Sequence, residues 1–114
     1  MIVEFPAELE TVKDFLEEGL RGALKDLSYS LDEEVVTETI SSLEKIWNLA
    51  ASNTGDFGKM SMNKKLDFVS LFDSYLIDSE TRREFDLPEE FGKLNCIEGA
   101  IITRLKEAIR DGRF

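Results

Sequence analysis

The stretch LDEEVVTETISSLEKIWNLAA, residues 31–51, constrains the fold more than any other. Val36, Ile40, Leu43, Trp47 and Ala50 recur at spacings of four and three, which places them on one face of a helix. Val35, Ile46 and Leu49 widen that face near its ends. A stripe of this width, carrying the chain's one tryptophan, predicts contact with more than one neighbouring helix. The opposite side, Glu34, Glu38, Ser41, Ser42, Glu44 and Lys45, is expected to face water. Ser30 and Glu33 match a capping box, with Asp32 as the rival N-cap.

Similar periodicity runs through the rest of the chain. Pro6 suits a first helical turn. From there Leu9, Val12, Phe15, Leu16, Leu20, Ala23, Leu24 and Leu27 keep helical spacing to about Ser28. Gly19 and Gly22 interrupt this helix, either to admit a close neighbour or as weak points. SNTGDFGKMS, residues 52–61, is the one loop rich in breakers. Ser61 can cap a third helix carrying Met62, Leu66, Phe68, Val69, Leu71, Phe72 and Tyr75 or Leu76. Ser79 can cap a short helix ending near Phe85. Pro88, Glu89 and Glu90 suggest a further start. Leu94, Ile97, Ile101, Leu105 and Ala108 or Ile109 make the last long helix, closed by Gly112 as a C′ residue. Met1–Phe5 reads as a short extended arm or strand, and nothing else alternates with period two for long. The expectation is one all-α domain over residues 1–114, an up-and-down bundle of four main helices plus one short helix.

Composition narrows the chemistry. Hydrophobic residues are 42% of the 114, enough for a modest core without metal or disulfide. The single cysteine, Cys96, cannot form an intrachain disulfide and fits a reducing compartment. MIVEFPAELE has no basic start and its apolar run is broken by Glu4 and Pro6, unlike a secretory leader. No apolar run approaches the ~18 residues of a membrane span. These features predict a soluble cytoplasmic protein.

There is no histidine, which removes the commonest general base and every Ser–His or Cys–His pair. It also removes Glu-x-x-His di-iron chemistry and, with one cysteine, a zinc centre. No D-x-D-x-D-G calcium loop occurs. Asp56-Phe57-Gly58 spells a kinase triplet without the rest of that fold, and Gly58-Lys59 lacks the P-loop glycine, since position 53 is Asn. Arg82, Arg83 and Lys93 are interleaved with Glu80, Glu84 and Asp86, which predicts local pairing. No catalytic residue, metal or cofactor is expected.

Charge is the remaining signal. The net charge is −10, and residues 1–58 hold 13 acidic against 4 basic residues. Such a surface repels nucleic acids and anionic membranes and attracts basic proteins. The expected function is a non-enzymatic protein-binding module that covers a basic partner, such as a nuclease toxin or nucleic-acid-binding protein, as immunity proteins, antitoxins and phage-encoded inhibitors do. Its expected contacts are Glu10, Asp14, Glu17, Glu18, Glu34 and Glu38, with Phe57 as an apolar anchor, although the same loop also reads as a structured turn that folds Phe57 onto the core. The alternative is a homodimeric structural or regulatory subunit joined through the apolar stripes and the Phe57 loop. Lys64 and Lys65, in a first helical turn where the dipole disfavours cations, point to a partner or to the acidic half.

GDFGKMSMNKKLDFVSLFDSYLID, residues 55–78, resembles the middle of mannitol-operon-repressor-like helical proteins, where a Gly-containing loop precedes a K-L helix ending in a Leu-Ile turn. The basic, histidine-bearing segment that follows in that family is missing here, so the resemblance assigns no family.

Overall fold

The computed structural model describes residues 9–89, 91 and 97–113. The Met1–Phe5 arm, Pro6, Glu90, Lys93, Leu94 and Cys96 lie outside the described residues. Among the described residues are five α-helices and one 3-10 turn: α1 (Leu9–Asp26), α2 (Glu33–Thr54), the turn Phe57–Lys59, α3 (Met62–Leu76), α4 (Ser79–Glu84) and α5 (Ile97–Arg110). α1 packs on α2 and α5, and α3 packs on the same two helices, so the four long helices close a ring. The short α4 leans on α3. This is the expected all-α bundle of four main helices and one short one.

The stripe of α2 lies at the centre of the core. Val36, Ile40, Leu43, Ile46, Trp47 and Ala50 are all buried. Trp47 touches Phe15 of α1, Phe57 of the turn, and Phe68 and Phe72 of α3, at ring-centroid distances of 5.9, 5.0, 4.7 and 5.2 Å. Edge-on and tilted geometries dominate, as aromatic quadrupoles favour. Ser42, expected on the wet face, is buried, and its hydroxyl donates to the Asp86 carbonyl at 3.3 Å. Met62, expected in the apolar stripe of α3, stands out into solvent.

α1 and α2 run antiparallel: Arg21 meets Glu33 near the turn, while Phe15 meets Trp47 farther along. α1 ends in a Schellman motif, Tyr29 N–H to Leu24 C=O and Ser28 N–H to Lys25 C=O, with Ser28 at φ 53°. α2 starts at Glu33, not in the capping box. Asp32 takes the N-cap place without a side-chain cap bond, and the Glu33 carboxylate is held by Arg21. Ser61 does cap α3, accepting from Lys64 N–H at 3.3 Å. For α4 the cap is Asp78 rather than Ser79: its Oδ2 accepts from the Thr81 N–H at 3.1 Å and the Thr81 hydroxyl at 2.8 Å. α5 closes as expected, with Gly112 at φ 75° and bonds from Gly112 N–H to Ile109 C=O and Arg113 N–H to Ala108 C=O.

Both glycines of α1 face α5. A Cβ on Gly19 would stand 2.9 Å from Leu105 Cδ2, and one on Gly22 would stand 2.6 Å from Arg104. They are points of close approach between helices. Around this contact Arg104 Nε and Nη2 grip Asp26 at 2.8 and 2.7 Å, and Arg113 pairs with Glu18.

Candidate functional site

Antiparallel pairing of α1 and α2 brings most of the predicted acidic residues onto neighbouring helices. Asp14, Glu17 and Arg21 follow one another at spacings of three and four along α1, so they form one outward ridge. Arg21 joins that ridge to α2: its Nε holds Glu17 at 2.8 Å, and its two terminal nitrogens hold both Glu33 oxygens at 3.0 and 2.9 Å. The bidentate Arg21 bond keeps the Glu33 carboxyl below the usual carboxylate range. The same contacts, Glu33 first and Glu17 second, push the guanidinium pKa upward.

Glu34 and Glu38 stand one turn apart on the exposed side of α2. Together with Asp14 they are exposed and, among the described residues, carry no hydrogen bond or ion pair. The predicted set therefore divides. Asp14, Glu34 and Glu38 are exposed carboxylates without a counter-ion among the described residues; Glu17 and Glu18 are drawn to Arg21 and Arg113. The side chain of Glu10 lies outside the described residues.

Phe57 is a correction. It is not a surface anchor but is buried, 7% exposed, against Phe15, Trp47 and Phe68. Asp56 accepts from Gly58 N–H at 3.0 Å, tightening the turn so that Phe57 points inward. The lysines of α3 have a structural use that composition did not suggest: Lys65 Nζ lies 5.4 Å from the Phe57 ring centroid and covers it. Lys59 and Lys64 line an open groove with Thr54, Asp56, Met60 and Ser61.

A second locus escapes the sequence patterns. Asp73 of α3 and Glu98 of α5 meet side chain to side chain. Asp73 Oδ1 is buried and, among the described residues, receives no N–H or hydroxyl hydrogen bond. Contact with Asp73 and partial burial raise the Glu98 carboxyl to about 7, while the charge of Arg82 opposes the shift. Arg82 does not pair with its acidic neighbours in sequence. Its Nε donates to the Leu76 carbonyl at the end of α3, and its guanidinium lies 5.7 Å from the Phe91 ring centroid. Nothing in helical spacing links positions 73 and 98. Their one shared signal is a carboxylate adjoining a core residue, Phe72 or Ile97.

Among the described residues no group of three or more His, Cys, Asp or Glu is placed to hold a metal ion. No described helix is long and apolar enough to cross a membrane. Comparison with protein-family models, curated proteins and solved structures finds no match for the chain.

Proposed function

We propose that this protein is a binding module whose acidic face, on α1 and α2, covers a basic surface of a partner protein. The observation that carries this reading is the exposure of Asp14, Glu34 and Glu38 with no described counter-ion, beside a seam where Arg21 already fixes Glu17 and Glu33. A rigid pair of helices holding unneutralised carboxylates creates a directional field that speeds encounter with a basic patch and sets its orientation. Localisation in the cytoplasm, and action as an inhibitor or antitoxin, belong to the same proposal.

For the alternative homodimer, most residues of the apolar stripes and Phe57 are packed in the chain's own core, while Leu27 and Met62 of those stripes stay exposed.

The test is capture from native lysate at low and high salt, with the wild-type chain, an Asp14→Lys/Glu34→Lys/Glu38→Lys variant and an unrelated bait of equal net charge. A basic protein retained by the wild type alone, and released by salt, supports the reading. Equal retention by all three baits rejects it.

A further inference from the structure

We propose that Asp73 and Glu98 form a proton-operated latch between α3 and α5: a shared proton joins the two helices, and its loss sets two carboxylates against each other and loosens that seam. The geometry carries this. Asp73 Oδ1 is buried without a donor among the described residues, and the side chain that meets Asp73 is another carboxyl. Two carboxylates in contact repel, whereas one carboxylate and one carboxylic acid make a charge-assisted O–H hydrogen bond.

The surrounding charges do not dissolve the latch. Arg82 of α4 is the described cation acting on Glu98, but its Nε is committed to the Leu76 carbonyl and its guanidinium rests near Phe91. It softens the ionisation of Glu98 without an ion pair to either carboxylate among the described residues. On α1, the other helix packed on α5, Asp26 pairs with Arg104, Glu18 with Arg113 and Glu17 with Arg21. Glu98 therefore responds to pH near neutrality, where an ordinary glutamate is fully ionised. Ile97, Ile101, Phe72 and Leu76, all buried on the two helices it joins, are the side chains that a loosened seam would free.

The test uses the full chain, with carboxyl chemical shifts and backbone hydrogen exchange followed from pH 5 to 8.5. Glu98 is expected to titrate near neutrality. Exchange protection of residues 72–76 and 97–102, corrected for the intrinsic rate, should fall several-fold over that titration. Glu98→Gln should abolish the fall while keeping a donor toward Asp73; Glu107→Gln, an exposed control on α5, should leave it unchanged. Titration of Glu98 in the ordinary carboxylate range overturns the proposal. So does a loss of protection that Glu98→Gln does not remove.

Discussion

Gly19 lies directly against Leu105: a side-chain carbon on the glycine would come within 2.9 Å of the leucine Cδ2. Leu105 is 1% exposed, so its methyl can yield only against other side chains of the core. Gly19→Ala gains about 1 kcal/mol of helix propensity and loses about 2 kcal/mol to overpacking. The expected outcome is a net destabilisation of about 1 kcal/mol in urea unfolding, despite a better helix former.

Gly22 provides the contrast. The atoms a Cβ would strike there belong to Arg104, a partly exposed and flexible side chain. Arg104 can swing aside at the cost of its solvent-screened pair with Asp26, which adds little to stability. Gly22→Ala is expected to leave the unfolding midpoint nearly unchanged, and Gly22→Ala with Arg104→Ala should recover the propensity gain. Two glycines three residues apart thus differ in what opposes a methyl group, and only the position of α5 distinguishes them.

Two helix ends place a side chain where the backbone is left-handed. Ser28 and Asp86 both have φ 53° at the C′ position of a Schellman motif. An L-residue in that region costs about 1 kcal/mol relative to glycine. Ser28→Gly is expected to raise stability by about that amount, read from thermal unfolding. Ser28→Val should lower it by more, since branching at Cβ worsens the clash.

For Phe57 the loop allows two readings, a ring folded onto the core and an exposed anchor, and the structure takes the first. The flanking glycines mark a turn, which the structure contains, but a turn can point its one aromatic either way. Asp56 and Lys65 decide the matter by tightening the turn and covering the ring. Phe57→Ala is therefore expected to destabilise the fold by about 3 kcal/mol, with a shift in Trp47 fluorescence because the two rings lie 5.0 Å apart.

The helices were legible wherever one periodic face meets one core. Val36, Ile40, Leu43, Trp47 and Ala50 needed only spacing to be placed, and they are buried. Gly112 and Ser61 needed only local backbone rules. What failed depended on residues distant in sequence. Ser42 is buried because the Asp86 carbonyl reaches it across 44 positions. In place of the Ser30 capping box, α2 starts at Glu33, whose carboxylate meets Arg21 of α1. On the acidic face, the carboxylates of Asp14, Glu34 and Glu38 were readable as exposed, but their separation from Glu17 and Glu18 depended on where Arg21 and Arg113 fall.

The Asp73–Glu98 contact also predicts the pH dependence of global stability. In the unfolded chain Glu98 titrates at its ordinary 4.5; in the fold it titrates at about 7. Between these values the native state holds a proton that the unfolded state has released, so stability falls as pH rises. The contribution is full below 4.5, declines through the interval and is gone above about 7. Each unit of separation corresponds to about 1.4 kcal/mol, but Glu98 is only partly buried, and solvent screening reduces the total effect to about 1 kcal/mol. Repulsion among the excess acidic groups also grows with pH, so the diagnostic quantity is a difference between proteins. Glu98→Gln cannot titrate and should match the wild type more closely at pH 5 than at pH 8. At pH 8 its Tm should exceed that of the wild type, the gap having widened by about 4 °C, the scale of 1 kcal/mol in a chain of this size. Parallel Tm curves for the two proteins across that range would show that Glu98 does not exchange its proton with folding.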